Sequence, residues 1–401
     1  MIASLLQISS SSTVLVAVAL IIILGYISLD LFRRTRIPQL LILMLIGIFL
    51  VQILNFVPVD YLNVLRALAP IFGSLALVVI MFNGSGDLKF ESSLIKNWKG
   101  VALGILDNLI SLVLLSLFMY YAFQWPPIYG AILGIILGET SSIVVIPFIR
   151  KVKISADLFK TLFIESTLNS IVAILMFSLA IVLVTNQSFS VLSFTTYILD
   201  YISLAVVIGI VAGIGWLFVL NSLKSAREYL ATIAVAILLY GLVDIFNGSA
   251  IITVMIFGMI IGNRKFFAKA LKLDMDFNPN KEKVVEKELE FLISTFFFVF
   301  MGMITVLSVQ YAIYGLVVAL LLILVRYPEV ALVLKRSTKQ ERGLVFSLMP
   351  RGVTVATLAT IAYGMGGQYF TQTFYISFFV IAITSIVSSI LLNKVKVEVK
   401  K

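Results

Sequence analysis

The sequence predicts an all-α membrane protein that crosses the bilayer many times. Of its 401 residues, 61% are hydrophobic and only 12% are charged, whereas charged residues make up about a quarter of an ordinary soluble domain. Apolar runs recur along the whole chain, and each is long enough, at about 20 residues, to cross a bilayer as a helix. These observations argue against a soluble fold.

Thirteen helical spans account for the apolar runs. They cover approximately residues 12–32, 37–56, 66–84, 98–122, 127–149, 158–184, 201–221, 229–246, 248–262, 289–309, 312–334, 341–364 and 370–393. Spans 1–6 and 8–13 are expected to form two inverted repeats that are joined by span 7. The predicted fold class is therefore a polytopic membrane protein with 13 transmembrane helices.

The basic residues indicate how the chain is oriented in the membrane. They follow the odd-numbered spans, so that 27 of the 30 Lys and Arg residues fall on one side, and the exceptions are Arg66, Arg326 and Arg351. Because Lys and Arg are enriched in cytoplasmic loops, we expect the N-terminus outside and the C-terminus inside the plasma membrane of a prokaryote. The net charge of +10 thus reflects topology and gives no reason to expect a nucleic-acid partner.

The composition also restricts the chemistry that the chain can perform. It has no Cys and no His, so disulfides, thiol chemistry and His-based metal sites are excluded. The longest polar stretch, residues 263–288, is too short for a nucleotide-binding domain. We therefore expect neither an enzyme nor an ATP-driven pump, and no cofactor. A proton carried inside the membrane must be bound by a carboxylate or a coupled polar group.

Five acidic residues fall inside predicted spans, where a charge is costly and usually pairs or lines a water-filled path. They are Asp107, Glu139, Glu165, Asp244 and Glu329. Asp244 and Glu329 are interpreted as structural ion-pair partners or residues near a span end. The neighbours of Glu139 and Glu165 favour a functional role instead.

Glu139 lies in a run of small and hydroxyl residues, Gly138 to Ser142, in the middle of an apolar span. Such a run weakens a helix, and local unwinding frees backbone carbonyl groups that can bind a dehydrated cation. Span 12 has a comparable interruption at Pro350, because proline removes a donor and kinks a helix. Interrupted helices at matching positions of two repeats are typical of a transporter's binding site.

A second polar segment begins at Glu165, early in span 6. Glu165 and Asn169 are four residues apart and share a helix face, and Ser166 and Ser170 share the adjacent face. Their hard oxygen atoms suit an alkali cation, although such a stripe can also join helices through hydrogen bonds. The candidate ion- and proton-binding residues are Asp107, Glu139, Thr140, Ser141, Ser166, Asn169 and Ser170. The monovalent cation itself is expected at Glu139, Thr140, Ser166 and Asn169.

Six segments resemble those of a known family in their order and spacing. They are Ser74–Gly86, Thr140–Pro147, Glu165–Ser170, Gly248–Asn263, Phe296–Gly302 and Pro350–Leu358. Together they resemble the monovalent cation/proton antiporter superfamily, and in particular an archaeal-type branch of its sodium/proton exchangers.

This resemblance implies a homodimer with crossed spans 5 and 12. It implies a scaffold formed by residues 1–97 and 229–311, a linker at 185–228, and a moving core formed by residues 98–184 and 312–401. It further implies a structural ion pair between Glu165 and Arg326 of span 11, with Arg351 as the alternative partner. The implied activity is exchange of sodium, or another monovalent cation, for protons by alternating access.

One position departs from the family pattern. Ser170 stands where the family has the acid that binds the exchanged ion and proton, and Ser141 likewise replaces an acid found in another branch. Either Glu139 has taken over this role, with Asp107 as the rival carrier, or proton coupling has been lost. In the second case the chain would be an uncoupled uniporter, a leak or a membrane sensor of the same fold.

Overall fold

The computed structural model describes residues 10–35, 38–53, 59–86, 97–185, 191–222, 228–246, 248–273 and 279–395. Within these residues there are sixteen α-helices, and the prediction of an all-helical protein is confirmed. The helices are α1 (Ser10–Thr35), α2 (Gln39–Ile48), α3 (Val59–Gly86), α4 (Trp98–Phe123), α5 (Pro127–Leu137), α6 (Ser142–Lys151), α7 (Ala156–Thr185), α8 (Val191–Ser222), α9 (Glu228–Ile245), α10 (Ala250–Gly262), α11 (Arg264–Leu271), α12 (Pro279–Ile304), α13 (Val309–Val333), α14 (Lys339–Ser347), α15 (Val353–Gly364) and α16 (Gln368–Lys394). A π-helical turn, Phe49–Ile53, extends α2.

Each predicted span overlaps one helix or two consecutive helices. Span 5 is divided into α5 and α6, and span 12 is divided into α14 and α15. In the part of the chain that the structure describes, seven helices are long and apolar enough to cross a bilayer alone, or eight if α10 and α11 form one span with a 72° bend. The helices α2, α5 and α15 are apolar but shorter. The chain is thus a multi-pass membrane protein.

The helices pack into two groups around the broken segments. In one group α4 packs against α5, α7 and α13, while α16 packs against α13 and α15. In the other group α12 packs against α2 and α3, and α10 packs against α3, α8 and α9. The contact between α3 and α15 is the main connection between the groups.

Many large apolar side chains face outward. Leu15, Tyr121, Val207 and Leu324 have exposed fractions between 57% and 76%. Outward apolar surface of this extent would promote aggregation of a soluble protein, but it suits contact with lipid chains. The buried acidic side chains of the described residues, Asp107, Glu139, Glu165 and Glu329, all lie inside the first helix group.

The close approach of α4 and α5 depends on Gly134. A Cβ atom at this position would overlap the carbonyl oxygen of Ser111 and the Cα atom of Leu112 in α4. Gly130 and Gly138 lie four residues to either side of it, and the same face of α5 therefore has no side chains beyond hydrogen. Small residues at such intervals allow two helix backbones to approach closely. This packing brings the C-terminal end of α5 against the middle of α4.

Gly134→Ala is expected to lower the thermal stability of the protein, because the added methyl group overlaps the backbone of α4. Overpacking of this kind costs about 1–3 kcal/mol. Gly241→Ala in α9 is the matched control, since nothing lies within 4 Å of the Cβ position there. Thermal unfolding in detergent measures both variants, and equal melting temperatures would contradict the close contact between α4 and α5.

Candidate ion-binding site

The two broken segments meet at their interruptions. The backbone N–H of Ser141, just before α6, donates to the carbonyl oxygen of Pro350, between α14 and α15, at 2.9 Å. A side chain at Gly352 would overlap the hydroxyl group of Ser141. The backbones of the two interruptions are therefore in direct contact, and only glycine fits at this point of the crossing.

Asn169 of α7 satisfies the backbone groups that the first interruption exposes. Its Oδ1 atom accepts from the N–H of Thr140 at 2.7 Å. Its Nδ2 atom donates to the carbonyl oxygens of Gly138 at 3.2 Å and Gly104 at 3.3 Å. Because buried backbone groups are costly without a partner, these bonds stabilise the unwound conformation. They also occupy both ends of the Asn169 amide.

Arg351 stabilises the interruptions from the other side. Its backbone N–H donates to the hydroxyl oxygen of Thr384 at 3.2 Å, and its Nη1 atom donates to the carbonyl oxygen of Glu139 at 3.0 Å. The same Nη1 atom lies 3.1 Å from Oδ2 of Asp107. A cation at this place is favoured further by the partial negative charge at the C-terminal end of α5.

A buried network of charges lies next to the interruptions. Arg326 of α13 contacts three carboxylates: Nη2 pairs with Oε1 of Glu165, while Nη1 lies 3.2 Å from Oε2 of Glu329 and 3.7 Å from Oδ2 of Asp107. These side chains are at most 2% exposed. Asp107 lies between Arg326 and Arg351 and links them. Three carboxylates thus face two guanidinium groups.

The carboxyl group of Glu139 forms no ion pair with this network, although Arg351 binds the carbonyl oxygen of the same residue. Its Oε1 atom accepts a hydrogen bond from the hydroxyl of Ser170 at 2.6 Å. Among the residues that the structure describes, no basic side chain forms an ion pair with its carboxyl group, and its Oε2 atom has no hydrogen bond of ordinary length and angle. The hydroxyl of Thr354 and the charge of Arg351 lie close enough to act on this group. The side chain is nevertheless completely buried. Since an isolated buried charge is very costly, this carboxyl group requires a bound cation or a proton.

The structure brings most of the predicted site residues together. Glu139, Thr140, Ser141, Asn169 and Ser170 lie at or against the first interruption, and the hydroxyl of Thr140 donates to Asp107 at 3.1 Å. Ser166 is less central, because its hydroxyl donates to the carbonyl oxygen of Phe163 within the same helix, at 3.3 Å.

Several participants, among them Glu329, Asn108 and Thr384, were not singled out for this site from the sequence. Glu329 lies three residues after Arg326 on one helix, a spacing that favours pairing and that could have identified it. Asn108 of α4 donates from Nδ2 to the carbonyl oxygen of Asn169 at 3.0 Å, and its Oδ1 atom has no partner within the described ranges. Its sequence neighbours give no signal for this role, which depends on how α4 meets α7.

Residues 17–395 match the family described as the transmembrane sodium/hydrogen exchanger. The chain belongs to this family of cation/proton antiporters, which makes it a transporter rather than an enzyme. The predicted resemblance to sodium/proton exchangers is thereby confirmed.

Individual relatives agree with this assignment. The chain is 26% identical over 376 residues to the probable Na(+)/H(+) antiporter 2 of Methanocaldococcus jannaschii, covering 86% of this chain and 85% of that protein. It is also similar to the structure of the sodium proton antiporter MjNhaP1 of the same organism at pH 8, with a TM-score of 0.75, 21% identity, and coverage of 95% and 98%. An electron-microscopy map of MjNhaP1 gives a TM-score of 0.71 at 24% identity, with coverage of 95% and 94%. At these identities the two structures establish a shared fold.

Arg326→Gln is expected to lower the melting temperature strongly, because it leaves three buried carboxylates with only Arg351 nearby. Removing one partner of a buried ion pair costs about 3–5 kcal/mol. Combining Arg326→Gln with Glu165→Gln should recover part of this loss.

The control is Lys99→Gln, which breaks the partly exposed ion pair with Asp157 and should cost less than about 1 kcal/mol. Thermal unfolding of the single and double variants in detergent provides the measurement. A double variant no more stable than Arg326→Gln alone would show that Glu165 is not a principal partner of Arg326.

Proposed function

We propose that this protein exchanges sodium for protons at Glu139 by alternating access, with another monovalent cation as a possible substitute for sodium. The observation that supports this most is the environment of the Glu139 carboxyl group. It is fully buried beside the crossing of two broken helices, it accepts a hydrogen bond from Ser170, and no arginine pairs with it. A carboxyl group in this position can bind a cation and a proton in alternation.

The other buried acids are less suitable carriers. Asp107, Glu165 and Glu329 all lie within 4 Å of an arginine guanidinium group, which favours their ionised forms and competes with sodium for their oxygens. Together they already exceed the charge of the two arginines. Glu139 is therefore not needed to balance the arginines, and its charge remains available for the transported ion.

The proposed cation ligands are oxygen atoms around the first interruption. Glu139 supplies Oε2 and Ser141 supplies its hydroxyl, and both atoms lack a hydrogen-bond partner within the residues described. Ser166 contributes a hydroxyl oxygen from the next helix. Thr140 and Asn169 act mainly as positioning residues, because their polar side-chain atoms bond to Asp107 and to the unwound backbone.

Exchange follows from the charge of the site. Glu139 with bound sodium and Glu139 with a bound proton have the same net charge, so both forms cross the apolar barrier at similar electrostatic cost. The empty, ionised form has one more buried negative charge, and it is disfavoured by several kcal/mol on typical scales for membrane interiors. Only the two occupied forms then change rapidly between the inward-facing and the outward-facing conformation. Sodium movement in one direction is therefore coupled to proton movement in the other.

The moving part is proposed to comprise residues 98–184 and 312–401, with a scaffold of residues 1–97 and 229–311 and a linker of 185–228. The packing of α4–α7 with α13–α16, and the concentration of the contact between this group and the rest at α3 and α15, support such a division. Thirteen spans in two inverted repeats, a homodimer and a prokaryotic plasma-membrane location belong to the same proposal. They rest on the sequence pattern and the family resemblance.

Glu139→Gln should abolish sodium-dependent proton movement while the protein remains folded, because the amide can neither lose a proton nor neutralise a cation. The assay uses purified protein in liposomes with a pH-sensitive dye and pulses of sodium, potassium or lithium. Glu288→Gln, at an exposed position of α12, is the matched control and should exchange at the wild-type rate.

Asp107→Asn and Ser170→Asp separate the remaining alternatives. Undiminished exchange by Glu139→Gln, together with loss of exchange in Asp107→Asn, would transfer the carrier role to Asp107. A wild-type protein that moves sodium without protons, and that gains coupling only through Ser170→Asp, would contradict the role of Glu139.

The orientation is tested by labelling, because the natural chain has no Cys. A cysteine introduced by Lys400→Cys should react with a membrane-impermeant reagent only after the cell is opened, since the basic loops are expected on the cytoplasmic side. Labelling of this variant in intact cells would overturn the proposed topology. A cysteine at Tyr121, at the other end of α4 from Lys99, should react in intact cells and serves as the control.

A further inference from the structure

A short basic helix, α11, follows the apolar helix α10. The two helices are bent by 72° relative to each other at Asn263. If α10 crosses the membrane, a helix inclined to it in this way lies close to the plane of the membrane surface. In that case α11 has the position of an interfacial helix.

The two faces of α11 differ in composition. Ala268 is buried, while Phe267 and Leu271 pack against the protein core. The opposite face presents the exposed residues Lys265 and Lys269, together with Phe266, whose side chain is 61% exposed. The inner face attaches the helix to the protein, and the outer face combines positive charge with an aromatic ring.

Local hydrogen bonds hold this helix in a defined orientation. At its start the backbone N–H groups of Phe266 and Phe267 donate to the carbonyl oxygen of Asn263, at 2.9 and 3.2 Å. At its end Lys272 adopts a left-handed conformation with φ of 56°, and the N–H of Leu273 donates to the carbonyl oxygen of Ala268 at 2.9 Å. This closing turn presents the exposed Lys272 as a third lysine.

We propose that the outer face of α11 binds the headgroups of anionic phospholipids. The lysine side chains can extend to the phosphate groups while their methylene stems and the Phe266 ring lie among the upper acyl chains. Basic clusters beside a membrane span attract anionic lipids in this manner. Asp274 and Asp276 follow in the sequence and lie outside the described residues. Among the described residues, three lysines and one aromatic ring form this surface.

The consequence for the protein is a stability that depends on lipid charge. Because α11 is attached to α10, which packs against α3, α8 and α9, a bound lipid stabilises the second helix group rather than the ion site. The inference requires only that α10 crosses the membrane, and it does not rest on the proposed role of Glu139.

Thermal unfolding in a neutral detergent tests this surface. Phosphatidylglycerol should raise the melting temperature of the wild-type protein more than phosphatidylcholine at the same concentration. The triple variant Lys265→Gln, Lys269→Gln, Lys272→Gln should lose at least about half of that difference, since each lysine near the surface contributes comparably to anionic-lipid binding. Phe266→Ser should reduce the difference without changing the charge.

A charge-matched control distinguishes this helix from basic charge in general. The variant Lys335→Gln, Arg336→Gln, Lys339→Gln removes three exposed basic residues from the connection between α13 and α14 and from the first position of α14, and it should retain most of the difference. Free glycerol phosphate at the same concentration should give no shift, because it lacks acyl chains beside Phe266.

Three results would overturn the proposal. One is an α11 triple variant that melts at the wild-type temperature in phosphatidylcholine and is still stabilised by phosphatidylglycerol as much as the wild type. Another is a control variant that loses as much of the phosphatidylglycerol stabilisation as the α11 variant does. The third is a change from dimer to monomer in the α11 variant with an unchanged lipid effect, which would assign this face to a second copy of the chain. If the triple variant does not fold, Lys269→Gln alone is judged by the same comparisons.

Discussion

The balance of charge inside an apolar protein is the constraint on which the rest of this structure depends. Arg326 and Arg351 are among the largest fully buried side chains of the described residues, and neither is tolerable there without carboxylates. Asp107 contacts both arginines, and Glu165 and Glu329 contact Arg326. These contacts connect α4, α7 and α13 to the second interruption. The ion pairs that neutralise the arginines therefore also hold together the helices around the crossing.

The interruptions are possible because this surrounding set of polar groups replaces water. An unsatisfied backbone group in a membrane costs several kcal/mol. Asn169 forms hydrogen bonds with an N–H group and a carbonyl group of the first interruption, and Arg351 donates to the carbonyl oxygen of Glu139. Among the buried carboxyl groups of the described residues, that of Glu139 remains without an ion-pair partner. The functional proposal follows from this difference in partners. The carboxylates of Asp107, Glu165 and Glu329 lie within ion-pair distance of an arginine, whereas the carboxyl group of Glu139 accepts a hydrogen bond from Ser170.

The sequence predicted the helices well because hydrophobicity is a local property. Both interruptions were found from Gly138–Ser142 and Pro350, since glycine, hydroxyl residues and proline act on their own helix. The same interruptions explain why a criterion of length and composition recognises only seven or eight spans among the described helices. The tertiary relations were less accessible. Asn169 forms hydrogen bonds through both its amide oxygen and its amide nitrogen, and Asp107 lies between two arginines. Both arrangements depend on how separate helices approach one another. The sequence therefore named residues that the structure places close together, but it did not give the contacts that each of them makes.

Infrared difference spectroscopy of a sodium titration tests the central claim most directly, because it observes the carboxyl group itself. If Glu139 binds a proton and sodium alternately, sodium should remove the absorption of one protonated carboxyl group, and it should do so at lower sodium concentration as the pH rises. This signal should be absent from Glu139→Gln and present in Glu288→Gln. Sodium binding without loss of a protonated carboxyl band, or the same band in Glu139→Gln, would contradict the account.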